Sequence, residues 1–179
     1  MSQIQGDRLN FEYGPCQVTF KGVDLGFFKG GVKVDHTVNW KDIEVDQSTL
    51  LVDNKVQSER IVISVPMAET KLSKLADLLV TGSKTVDGQK VKVEFGGKQV
   101  SVADAGELVL TPCADGAGTL SEDANEKITV HKAFPRPQFS KSYSLDDIRV
   151  VPVEFHGLMD DTKEAGKQLF VLGDVSAAA

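Results

Sequence analysis

Cysteine is almost absent from this chain of 179 residues: only Cys16 and Cys113 occur, far apart, with no further Cys and no metal-spaced His near either. That spacing excludes a disulfide-dense secreted scaffold and gives no support to a zinc site, so both thiols are expected to be reduced. Trp and Tyr are also scarce, with one Trp and two Tyr. A carbohydrate- or receptor-binding sandwich, which holds its ligand on exposed rings, would have little to work with. Positive charge is in deficit, 20 Lys and Arg against 26 Asp and Glu, for a formal charge of −6 and a pI near 5.1. The lysines are scattered singly, with no basic stripe, so a protein that binds DNA tightly by neutralising phosphates is not expected.

Other absences concern chemistry and targeting. Asp7, Arg8 and Glu12 interrupt the opening residues, which lack the charged start and apolar run of a secretion signal, and no stretch is long and apolar enough to span a membrane. His36, His131 and His156 are the only histidines, and no Ser, Cys or carboxylate stands at a motif spacing from them. A nucleophile-and-base arrangement is therefore not indicated, and the chain is not expected to be an enzyme. The pairs Asp146-Asp147 and Asp160-Asp161 lack the alternating oxygen ligands and glycine of a calcium loop, so neither metal nor cofactor is expected.

What the chain does have is alternation. Val32, Val34, His36, Val38 and Trp40 fall on one face of a period-two segment, and Lys33, Asp35, Thr37 and Asn39 on the other. Upstream, Val23 to Phe28 reads as its hairpin partner, with Lys29-Gly30-Gly31 as the turn; Lys90 to Phe95, Gly96-Gly97 and Lys98 to Val102 repeat the device. Further strands are expected at 60–65, 107–111, 127–134, 148–155 and 168–172, each rich in Val, Ile, Leu or Phe. Between Pro66 and Gly82 the period changes: Ala68, Leu72, Leu75, Ala76 and Leu79 recur at three- and four-residue spacing, predicting one amphipathic helix over about 67–81. Polar stretches at 46–59 and 115–126 read as long loops, and 175–179 as a flexible tail. Together these predict a mainly β chain, a single two-sheet β-sandwich domain over 1–174 with one flanking α-helix.

Two stretches carry a resemblance: Gly22-Val23-Asp24-Leu25-Gly26 with Gly30-Gly31-Val32 and Trp40 to Gln47, then Val151-Pro152-Val153-Glu154-Phe155 leading to Gly166 and Leu172-Gly173. In this order, with the strand, Pro66 and the amphipathic helix between them, they resemble the major tail tube proteins of bacteriophages. The resemblance implies a virion protein made in the bacterial cytoplasm whose partners are copies of itself, in hexameric rings that stack into a tube. It also implies a length-setting tape measure protein, a tail tip or baseplate, and a tail terminator. DNA would pass through the lumen without tight binding, an acidic wall repelling a polyanion. In that family the loop matching 46–59 contacts the neighbouring ring, which makes Trp40, Ile43, Val45, Gln47, Leu50 and Leu51 candidates for the assembly interface. A simpler alternative places Trp40 and Val45 in the core of the subunit. The inner tube of a contractile tail and the tube of a type VI secretion system share the sandwich and the ring, and the sequence does not separate these readings.

Overall fold

The alternation seen in the sequence becomes a core because one face of each strand is buried. In β4 (Asp53–Met67), Ile61, Ile63, Val65 and Met67 all point inward, and in β9 (Val151–Leu158) Val151, Val153 and Phe155 do the same. Val18 and Phe20 of β1 (Cys16–Phe20), Leu108 and Leu110 of β7 (Gly106–Pro112), and Val130 and Ala133 of β8 (Ile128–Pro137) complete the cluster. The computed structural model of the chain describes residues 14–44, 46–47, 50–114, 118–140 and 148–177.

Eight strands form one antiparallel sheet in the order β2-β1-β7-β8-β9-β4-β3, where β2 is Val23–Asp24 and β3 is Lys33–Ile43; the eighth, β10 (Phe170–Leu172), lies alongside β8. This sheet curls over on itself. Phe20 on β1 and Phe155 on β9 are separated by two intervening strands, which in a flat sheet would hold them roughly 14 Å apart. Their ring centroids are 5.2 Å apart. The margins of the curl are stitched together where Phe28 bridges Met67, the Lys29 N–H donates to the Pro66 carbonyl at 3.1 Å and the Ala68 N–H to the Phe27 carbonyl at 2.8 Å. The second sheet is the hairpin of β5 (Gly82–Asp87) and β6 (Lys90–Phe95). Helix α1 (Leu72–Leu78) buries Leu75, Ala76 and Leu78 and lies against β5, β6 and β8. The expected class, mainly β with two sheets and one helix, is the one observed.

Several boundaries differ from expectation, each for a physical reason. The helix spans 72–78 rather than 67–81, because Pro66 and Met67 belong to β4, opposite Pro152 and Val151, and the chain stays extended through Lys71. At the other end the Gly82 N–H donates to the Leu79 carbonyl, and Gly82 opens β5. The first expected hairpin does not form: β2 pairs with β1, and β3 pairs with β4, leaving Gly30-Gly31 as a turn between distant partners. Nor does the second, since Lys90 to Phe95 pairs backwards with β5. The tight turn there is Asp87-Gly88-Gln89, where Gly88 takes φ +58°, a left-handed conformation favoured by glycine. After Gly96-Gly97 comes a Ser101-capped single turn of 3-10 helix at Val102–Asp104 instead of a strand.

Phe155 is fully buried and meets the Phe20 ring at a tilt of 51°. Phe155→Ala is expected to cost about 3–5 kcal/mol in urea denaturation, the range for emptying an aromatic site in a core. Gly157→Ala should also destabilise, by about 1–3 kcal/mol, because the added methyl would press on Ile61, with Leu169 close beside it.

Candidate assembly interface

Strands β3 and β4 stay in antiparallel register from Lys33 opposite Ser64 out to Ile43 opposite Asp53. Strand β9 supports β4 only from Val62 to Met67. Beyond that point, among the described residues, the two strands continue alone as a ribbon, and the buried alternation of β4 stops at Ile61. Half of the stretch expected to be a loop at 46–59 is therefore strand, with residues 53–59 forming one side of this arm.

The arm is a poor structure in isolation. Two strands without a third, or a covering face, are marginal in water. Lys41 stands directly opposite Lys55, a like-charge pair that works against the ribbon. A register shift between Asn39 and Trp40 leaves Gln57 without an opposite residue, which locally increases the twist. Trp40, 59% exposed, faces Val56 across the ribbon, and Leu50 at the tip is 74% exposed beside exposed Leu51 and Val52.

The structure thus gathers the expected interface residues onto one projecting element. Trp40, Leu50 and Leu51 are exposed apolar groups, Gln47 is exposed and Ile43 is half-buried. Val45 lies outside the described residues. The exposure of Trp40 corrects the alternative that put it in the subunit core.

Strand β3 is also last in the sheet order, and among the described residues nothing pairs with its outer edge. Such an edge is a template for another strand. The base of the arm is held by polar pairs: His36 Nε2 lies 2.9 Å from Glu59 Oε1, and Asn39 Nδ2 donates to Ser58 Oγ at 2.8 Å. The His36 ring also meets Phe170 edge-on at 5.0 Å, so this histidine has a structural setting.

A second exposed surface was not foreseen. The hairpin β5–β6 stands apart from the main sheet with Val86 and Phe95 exposed, and the Phe95 ring lies 6.4 Å from that of Phe139. Its signal in the sequence was Asp87-Gly88 between two alternating runs, overshadowed by the helix expected to end at Gly82.

Two other groups of side chains have clear physical settings. Cys16 and Cys113 line an apolar hollow of about 430 Å³ with Phe27, Phe28 and Leu120. Burial, reinforced by Cys113, pushes the Cys16 thiol up, which keeps it in the unreactive thiol form at neutral pH. Lys132 Nζ bridges Asp160 at 3.0 Å and Asp161 at 2.7 Å, fastening the segment after β9 to β8. Asp160 also accepts hydrogen bonds from the hydroxyl and the N–H of Thr162, at 2.8 and 3.1 Å. Among the described residues, no group of three or more His, Cys, Asp or Glu is arranged to hold a metal, and no helix is long and apolar enough to cross a membrane.

No family model matches this chain, and no curated protein does.

The Asp160 cluster yields a pH prediction. The Thr162 hydroxyl, then the Lys132 ammonium, lower the Asp160 carboxyl to about 2. A depressed carboxyl stabilises the fold fully above its unfolded value of about 3.9, and that contribution drains away as pH falls through the folded value. Asp160→Asn should therefore lower the melting temperature at neutral pH, with the gap from the parent narrowing from about pH 4 down to about pH 2. A gap that stays constant across that range would show that the carboxylate charge is not what holds the segment.

Proposed function

We propose that this chain is the repeating subunit of a bacteriophage tail tube, in which six copies close into a ring and stacked rings form the conduit for DNA. The reading joins the sequence resemblance to one structural observation: an exposed, apolar-tipped arm that the subunit itself does not support. Such an arm is a liability in a monomer and useful in an assembly, where a neighbour covers Trp40, Val56 and Leu50 to Val52 and removes them from water. The open edge of β3 supports the same reading, because closing a ring lets each subunit pair an edge that would otherwise invite uncontrolled association. The net charge of −6 suits a channel that DNA traverses without sticking. The subunit's work is mechanical: it stays apart until a tip complex nucleates it, polymerises around a tape measure protein to a terminator, and leaves an open lumen.

Negative-stain microscopy of the concentrated protein is expected to show rings or hollow tubes; monodisperse single subunits at every concentration would overturn the reading. A second test shortens the arm. Replacing residues 41–55 by Asn-Gly closes the hairpin at the facing pair Trp40 and Val56 with a turn suited to a two-residue loop. This variant should melt cooperatively, within a few degrees of the parent, yet form no tubes.

A further inference from the structure

Charge is unequally divided between the two projecting hairpins. From residue 41 to 55 the arm carries Asp42, Glu44, Asp46 and Asp53 against only Lys41 and Lys55. From residue 82 to 98 the β5–β6 hairpin and the residues just after it carry Lys84, Lys90, Lys92 and Lys98 against only Asp87 and Glu94. Four carboxylates to two ammonium groups on one segment stand against four ammonium groups to two carboxylates on the other, so the two segments have equal and opposite formal charge. Both also present apolar groups, Leu50 to Val52 at the arm tip, and Val86 and Phe95 beside Phe139 on the hairpin.

We infer that the arm of one copy docks, tip first, on the β5–β6 hairpin of the next copy. The inference deepens the self-assembly reading above and rests on it, naming the surface that receives the arm. An apolar centre ringed by complementary charge is the usual build of a protein interface, the apolar groups supplying affinity and the charges supplying register and partner choice. Each element is two-stranded and exposed, and each gains a covering layer from the other. The two surfaces lie on separate strands of one chain, and neither β3 nor β4 pairs with β5 or β6. The contact is therefore heterologous: unless two copies dock on each other reciprocally, each docked copy offers one arm and one hairpin to the next, and addition continues. A self-complementary patch would instead stop at a dimer.

The existing ion pairs leave room for this. Lys84 is tied to Asp77 at 2.7 Å, and Lys98 donates to the Gly82 carbonyl at 3.2 Å, so these two help hold the hairpin in place. Lys90 and Lys92 are exposed on its outward face; the contact of Lys92 with Glu94 at 3.0 Å is a surface pair that contributes little. On the arm, Glu44 and Asp46 are exposed near the tip.

A charge-exchange experiment tests the docking. A hairpin variant, Lys90→Glu with Lys92→Glu, and an arm variant, Glu44→Lys with Asp46→Lys, alter exposed positions and should melt like the parent. Each alone is expected to raise the concentration needed for assembly, followed by light scattering and microscopy, on the order of tenfold or more, because like charges now meet across the contact. Mixed in equal amounts, the two variants should assemble again as alternating copies, since each arm then finds a hairpin of opposite charge. The chain carrying all four changes should also assemble. If the hairpin variant forms tubes as readily as the parent, the arm docks elsewhere and this inference falls while the tube reading stands. Failure of both the mixture and the fourfold variant, with melting unchanged, overturns it equally. A parent chain that never assembles removes both.

Discussion

The reach of β9 along β4 decides the character of this molecule. Where the two strands pair, from Val62 to Met67, one face of β4 is sealed into the core against Phe155 and its neighbours. Where β9 departs, the same strand continues outward with, among the described residues, only β3 beside it, and its apolar residues turn from core into surface. The core and the exposed apolar arm thus share one continuous strand. The hydrophobic effect acts on both halves, but only the inner half can satisfy it within the chain.

The curl of the large sheet follows from the same demand. A single antiparallel sheet can bury one face only by covering it, and here the covering comes from the sheet's own far side, so that Phe20 meets Phe155. The stitch between Phe27 to Lys29 and Pro66 to Ala68 fixes how far it closes. The helix adds Leu75, Leu78 and Leu79 to this same core, and the small hairpin packs on the helix, which leaves β5–β6 at the surface, where its lysines meet solvent.

How far this was legible in the sequence varies by element. The alternation in β3 was plain because period two is a local property, the apolar runs at 60–65 and 148–155 marked the inner part of β4 and most of β9, and the amphipathic spacing of Leu72, Leu75, Ala76 and Leu79 marked the helix. Strand pairing was not legible. Gly30-Gly31 looked like a hairpin turn because glycines permit one, but β2 found β1 and β3 found β4. Pro66 looked like a helix boundary, yet it sits in β4 opposite Pro152, and the two proline carbonyls accept from the Lys29 and Gln138 N–H groups on their outer sides. Among the candidate interface residues, Trp40 was ambiguous because an apolar residue in an alternating strand reads the same whether the face it lies on is covered or bare.

By itself the sequence determined the strand-rich class, the acidic charge and the presence of one amphipathic helix, all of which depend on composition or on neighbours a few positions away. Only the tertiary structure decided which strands pair, that residues 53–59 of the 46–59 stretch are strand rather than loop, and that Trp40 lies outside the core. These depend on contacts between residues distant in the chain, where burial by a particular partner strand outweighs local preference.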